Sequence, residues 1–310
     1  VSKKLIIGSK IEKEQQLLRG GDQVNIKNNT RHPVYFIVEM GQNHQGDIRI
    51  AKEIVDSLSD LPVSCVKTAK RDIDTCLTEK QKSMPYLNPN SFGKTYYEHR
   101  KALELSKDDF VELKNYVEGA GFDFLSSFTD LNSLLFLMEI NVKGLKIASS
   151  RLADIALLKA VSAIDLPVIV STGMSSIEDV DRAIDILKGN EKYLLQCTSV
   201  YPCPGNELNL NTISMYKERY KDRIDGVGFS GHHWGIAPDI AAYMLGATIL
   251  ERHYTLERGM KGTNHAASLE KKGIQYILNY ISQIEEALGT DTKKVLESEI
   301  PAMERLRADL

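Results

Sequence analysis

Cysteine is scarce in this 310-residue sequence, and its four copies, Cys65, Cys76, Cys197 and Cys203, share no CxxC spacing. That excludes a disulfide framework and a cysteine zinc site, and predicts buried, reduced thiols in a cytoplasmic protein. No apolar run approaches the roughly 20 residues of a membrane span. The opening VSKKLIIGSKIEKEQQ has only a three-residue apolar core, too short for a signal peptide. Charge of one sign is also missing: the formal net charge is −3 and no Lys/Arg-rich run occurs, so nothing points to nucleic acid. Anionic substrates would have to meet local cations. GxGxxG is absent as well, which weakens the reading of an open, doubly wound nucleotide-binding sheet.

What is present is a regular series of short apolar runs bounded by turn residues. They are YFIVEM (35–40), SCVKTA (64–69), FDFLSSF (122–128), GLKIAS (144–149), PVIVST (167–172), YLLQCTS (193–199), DGVGFSGH (225–232) and ATILERHY (247–254). Each is rich in Val, Ile or Leu without strict alternation, which suits a parallel strand buried on both faces. Segments of helical period separate them, for example IRIAKEIVDSLSD and SIEDVDRAIDILKG, with cap signals at Ser106 and Ser175-Ser176. Parallel neighbours need helical crossovers, so the pattern predicts an α/β protein with a single (β/α)8 TIM barrel. Residues 1–34 form an N-terminal extension, expected as a hairpin over the base. Residues 35–289 make the barrel, and 290–310 a C-terminal helical tail. The second connection, 70–105, is too long for a plain crossover and is expected to reach over the mouth.

In such barrels the chemistry sits where strands end. Here every strand end is polar: Glu39 and Gly41-Gln42-Asn43-His44, Lys67, Ser126-Ser127, Lys146 and Ser149, Ser171-Thr172, Thr198-Ser199 and Tyr201, His232-His233, and Glu251-Arg252-His253. Any one of these has a bland explanation; eight together are harder to dismiss. Lys67, Lys146 and Arg252 as cations, with Ser127, Ser149, Ser171 and Ser199 as hydroxyl donors, suit a phosphate and a carboxylate on one small molecule. Glu39 and Tyr201 suit acid–base work or sugar hydroxyls. His232 and His253 end adjacent strands, and two imidazoles completed by water suit Mn2+, Zn2+ or Fe2+ in an open site. The same histidines could instead be hydrogen-bond donors only. His44 is a further candidate donor, His233 and Trp234 read equally as loop packing, and His32 and His99 read as structural or exposed.

The motifs VEMGQNHQGD (38–47), LKIAS (145–149), PVIVSTGM (167–174), QCTSVYP (196–202), GFSGH (228–232), LERHYTL (250–256) and KGTNHAASLE (261–270) together resemble the sialic acid synthase family. The resemblance runs in order over roughly residues 35–285, one motif per strand, and GKTYYEHRKALELS (93–106) is closest to its animal-type branch. It implies condensation of phosphoenolpyruvate with an N-acylated hexosamine, N-acetylmannosamine or its 6-phosphate, giving a nonulosonic acid and phosphate. It implies that Lys67, Ser127, Lys146, Ser149, Ser171 and Ser199 hold phosphoenolpyruvate, and that His232 and His253 hold a divalent metal, Mn2+ first, with Mg2+, Zn2+ or Co2+ as alternatives. Glu39, Asn43, Tyr201 and Asn264 fall on the sugar side. Three departures stand out. Thr68-Ala69-Lys70 replaces the family's Phe-Gln-Thr, with Lys70 a further cation. Asn264 stands where the family has Asp, so a proton acceptor is replaced by an amide. The sequence also stops where the family's antifreeze-like domain would follow, which leaves barrel surfaces for any homo-oligomer. Rival readings are a 3-deoxy-octulosonate 8-phosphate type synthase, a Schiff-base aldolase using Lys67 or Lys146, and a catalytically weakened sugar-phosphate binder.

Overall fold

The computed structural model describes residues 23–307. Eight parallel strands close into a barrel in sequence order, β1 against β2 through to β8 against β1. They are β1 Tyr35–Gly41, β2 Cys65–Lys70, β3 Asp123–Phe128, β4 Leu145–Ile147, β5 Val168–Ser171, β6 Lys192–Cys197, β7 Gly226–Gly231 and β8 Ile249–His253. All eight overlap the predicted runs: six are one to three residues shorter, β2 is shifted by one residue, and β1 runs one residue further, to Gly41.

Side chains alternate in and out of the barrel with period two. Outward residues such as Phe36, Val38, Val66, Phe124, Val170, Phe229 and Leu250 pack with Ile54, Val55, Leu113, Leu137, Val161, Ile184 and Ile277 of the surrounding helices in one large core. Truncating a fully buried member of that core to Ala costs about 2–5 kcal/mol. Inward residues form a second, smaller cluster: Tyr35, Ile37, Cys65, Leu125, Ile169, Tyr193, Leu195 and Ile249 fill the barrel's lower half. Val24 and Ile26 close it from below, and the Val24 amide donates to the Lys143 carbonyl. Residues 23–34 run as turns across that base; most of the expected hairpin falls on residues 1–22, outside the described residues. One step further up each strand the inward side chains become polar, and the floor of the mouth begins there.

The helices start where the sequence caps them. Ser106 accepts from the Asp109 amide, and Ser176 forms a reciprocal capping box with Asp179. The long second connection contains short helices Ile73–Cys76, Glu79–Lys82 and Tyr96–Ala102. It does reach the mouth: Asn90 accepts from the Gly262 amide at 3.3 Å, and Arg100 donates to Gln42 at 2.8 Å. At the other end, residues 290–307 carry the exposed helix Ile300–Leu306. No helix among the described residues is long and apolar enough to cross a membrane.

Candidate active site at the barrel mouth

A cavity of about 430 Å3 opens at the C-terminal ends of the strands. Glu39, Lys67, Ser127, Lys146, Ser149, Ser171, Ser199, Tyr201, His232, His253 and Asn264 all line it. Eleven of the twelve residues that the resemblance implies are therefore brought together. Asn43 is not among the lining residues. It is 1% exposed, and its amide donates to the Tyr254 carbonyl (2.6 Å) and to Ser268 (2.9 Å), fixing the loop after β1 to the loop after β8.

The floor is a buried charge cluster. Lys67 pairs with Glu39 and lies 3.6 Å from Glu251; Lys146 lies 3.4 Å from the other oxygen of Glu251 and donates to Ser171 at 2.6 Å. Burial would raise both carboxyls, but they part company. Glu251 sits between Lys146 and Lys67, which outweigh burial and hold its carboxyl at about 2. Glu39 has only Lys67 close by and also faces Glu251, so burial wins and its carboxyl is pushed above the ordinary range. Lys67 is raised, because Glu251 and Glu39 overcome its burial, whereas burial and the repulsion of Lys67 lower Lys146. The cluster thus pulls its two carboxyls apart, Glu251 downward and Glu39 upward, the separation expected of acid–base machinery.

Beside the lysines lies a hydroxyl cradle. Ser149 accepts from the Gly173 amide at 3.1 Å, and a Cβ at Gly173 would meet Ser149 Oγ at 2.9 Å and clash with Ser199. Only glycine leaves that space free. Cys197 also lines the cavity, 3.8 Å from His232 Nδ1 and 3.5 Å from Ser149. Burial, which raises a thiol, is outweighed there by His232 and Ser149, and the net shift is downward.

On the opposite wall the rings of His232 and His253 have centres 5.4 Å apart, with Tyr201 tilted 4.0 Å over His232 and edge-on to His253. His232 Nδ1 lies 3.1 Å from the Thr198 carbonyl, which can only accept, so Nδ1 carries a proton and donates it there. His253 is partly buried; burial and His232 push it well below the ordinary histidine value, and its buried Nδ1 has no partner. Two adjacent imidazoles, with His253 Nδ1 unpartnered, fit two donors of a divalent metal. Among the described residues no group of three or more His, Cys, Asp or Glu gathers for a metal, so the remaining positions would belong to water or substrate.

Strand alternation removes several sequence candidates from the mouth. Arg252 points outward, one residue out of phase with Glu251 and His253; it pairs with Asp239 and donates to the His233 carbonyl at 2.7 Å. It is a buried structural ion pair, not a substrate cation. His233 belongs to the same packing, stacked on Phe229, while Trp234 is exposed. Lys70 also points outward and donates to the Leu105 carbonyl at 2.9 Å, and Ser126 bonds back to the Ser127 carbonyl. His44 is buried and accepts from the Gly46 amide; burial and Arg71 lower it to about 4. His32 is tied to the Leu278 carbonyl at the base, and His99 is packed against Tyr86. The functional residue that the sequence reading passed over is Glu251. Its phase with His253, two residues on, was the available signal. Arg71 and Arg100, from the long connection, also line the cavity.

Residues 54–293 match the family model described as the NeuB family. The chain belongs to the NeuB family. It is 37% identical over 278 residues to the N-acetylneuraminate-9-phosphate synthase of Mus musculus, covering 89% of this chain and 77% of that protein. It is 33% identical over 270 residues to the N,N'-diacetyllegionaminic acid synthase of Campylobacter jejuni, covering 85% and 80%. Among solved structures, the N-acetylneuraminic acid synthetase of Leptospira borgpetersenii superposes with a TM-score of 0.76 at 29% identity, over 90% of this chain and 93% of that one. The NeuB match starts within the first barrel helix and so spans every lining residue except Glu39, Gly41 and Gln42.

Proposed function

We propose that this NeuB-family chain condenses phosphoenolpyruvate with an N-acylated hexosamine, N-acetylmannosamine or its 6-phosphate, to a nonulosonic acid and inorganic phosphate. One observation carries the reading: two buried lysines, sharing Glu251 as counter-ion, adjoin a serine cradle and face two imidazoles across one cavity. A small double anion is what Lys67, Lys146, Ser127, Ser149, Ser171 and Ser199 together satisfy. The names of the relatives agree with that chemistry.

In this reading Lys67 and Lys146 bind the carboxylate and phosphate, and the serines fix their orientation beside the aldehyde of the open-chain sugar. Carbon 3 of phosphoenolpyruvate attacks that aldehyde carbon, and a carbon–carbon bond forms as the enol π bond is consumed. Glu39, whose carboxyl burial pushes upward, is the group assigned to deliver a proton to the aldehyde oxygen, which becomes a hydroxyl. Water then adds to the electron-poor carbon 2 and loses a proton to the carboxylate left on Glu39. The bond from carbon 2 to the bridging oxygen breaks, phosphate leaves and takes up the proton of the new hydroxyl, and carbon 2 becomes a ketone. His232 and His253 would hold a divalent ion, Mn2+ in the first place, which when bound supplies Lewis-acid polarisation of the aldehyde oxygen.

Phosphate release from phosphoenolpyruvate in the presence of each sugar tests this. Release that needs the sugar, and that Lys67→Met reduces by about 100-fold or more, is expected. Release without sugar, or none with either sugar, would refute it. A second reading, a Schiff-base aldolase, is favoured by the lowered Lys146 amine; borohydride trapping of a substrate adduct on Lys146 would select it.

A further inference from the structure

The ladder between β7 and β8 ends at the pair Gly231–Arg252. His232 and His253 are the next residue on each strand, so the imidazole pair lies one step beyond the last paired residues. Their own carbonyls are used elsewhere: that of His232 accepts from the Cys203 amide at 2.9 Å, and that of His253 from the Leu269 amide at 2.8 Å. The sheet itself therefore does not hold the two histidines together.

Arg252 supplies that link from the outer face. Its Nη2 donates to the His233 carbonyl at 2.7 Å and its Nη1 to the Gly235 carbonyl at 3.2 Å. One planar fork on β8 thus grips the first residues after His232. The same Nη1 pairs with Asp239 of the helix Ala237–Met244, which anchors the fork to the helix that follows β7. The His233 ring stands between the two, its Nε2 3.1 Å from Arg252 and 3.2 Å from Asp239. All three side chains are buried.

The cluster is poorly built for stability alone. Arg252 Nε, Asp239 Oδ1 and His233 Nδ1 are all buried without a partner. A buried ion pair repays its desolvation only when its remaining polar atoms are satisfied, and apolar residues of similar volume often do as well. Three orphaned atoms in one cluster call for a reason other than folding. Apolar side chains could fill the space, but they could not hold two backbone carbonyls beside β8.

We propose that Arg252 and Asp239 are positioning residues for the histidine pair: they fix the loop after His232 against β8, set the spacing of the two rings, and so determine the affinity for a divalent ion. The inference rests on the reading of His232 and His253 as metal donors.

The test titrates Mn2+ into the full chain and follows the free ion by electron paramagnetic resonance, which needs no turnover. Arg252→Met combined with Asp239→Leu removes both charges together. Arg252→Lys keeps the charge but not the fork, and decides the matter if the double variant does not fold. Each folded variant should bind Mn2+ about 10- to 100-fold more weakly, the usual effect of removing a group that orients metal ligands. Val161→Ala, in the core between barrel and helices, weakens the fold away from the clamp and should leave Mn2+ affinity unchanged. Glu251 lies inside the β7–β8 ladder, so calorimetric titration with phosphoenolpyruvate should show wild-type binding in the clamp variants. Wild-type Mn2+ affinity in a folded clamp variant would overturn the inference while leaving the metal pair standing. An equal loss in Val161→Ala, or a parallel loss of phosphoenolpyruvate binding, would show general loosening and overturn it too. A wild type that binds no Mn2+ would defeat the metal reading and this inference with it, whereas sugar-dependent phosphate release would still test the condensation.

Discussion

Replacing Glu251 by Gln is the sharpest test of the charge cluster. The side chain keeps its shape, but two buried ammonium groups lose the anion that lies 3.6 Å and 3.4 Å from them. At an effective dielectric of about 20 each contact carries roughly 5 kcal/mol of gross attraction, offset by desolvation and by repulsion from Glu39. Breaking a buried pair by removing one partner costs about 3–5 kcal/mol. The titration of Glu251 gives the same scale. A carboxyl held at about 2 against an ordinary 4.5 corresponds to about 3 kcal/mol of stability at neutral pH. The sign follows from the downward shift: the stabilisation is complete above about pH 4.5 and is lost as the pH falls toward 2. Urea unfolding at pH 7 should therefore show Glu251→Gln less stable by about 3–5 kcal/mol. The variant should also lose the part of the wild-type acid sensitivity that Glu251 contributes. Phosphoenolpyruvate, which brings negative charge to the same lysines, should stabilise the variant more than the wild type. A loss below about 1 kcal/mol, with unchanged acid sensitivity, would show that Glu251 is not the shared counter-ion.

Glu39→Gln leaves an amide where a proton must be given and taken back; kcat should fall about 100- to 10,000-fold with phosphoenolpyruvate still bound, and a kcat within tenfold of wild type would remove Glu39 from acid–base work. Asn264→Asp places a carboxylate on the sugar side of the mouth and should raise kcat by about tenfold or more; an unchanged or lower kcat would show that the amide is the working group in this chain. Arg252→Gln breaks the buried pair with Asp239 and should cost about 3–5 kcal/mol without moving the phosphoenolpyruvate KM. A raised KM at unchanged stability would put Arg252 back in the site.

The barrel was legible because eight apolar runs spaced by helical segments admit few arrangements, and because polar residues at all eight strand ends converge once the sheet closes. Phase within a strand was harder to read. The run LERHY holds Glu251, Arg252 and His253 in a row, all polar, the first two buried and the third partly buried. Only the barrel's alternation sends Glu251 and His253 inward and Arg252 outward to Asp239. Lys67 and Lys70 differ in the same way. Asn43 sits in VEMGQNHQGD, one of the motifs that carry the resemblance, yet its amide ties two loops together. A loop residue has no strand phase to predict that. Arg100 was out of reach for a different reason: nothing in its local sequence says that residue 100 folds back to residue 42.

The most direct measurement follows the bridging oxygen of phosphoenolpyruvate. With that oxygen labelled as 18O and N-acetylmannosamine 6-phosphate or its free sugar as acceptor, the released phosphate should carry the label, because the carbon 2–oxygen bond is the one that breaks. Mass spectrometry should also find a product equal to both substrates plus water less phosphoric acid. Unlabelled phosphate accompanied by pyruvate, with the sugar recovered unchanged, would contradict the account and show simple hydrolysis at phosphorus instead.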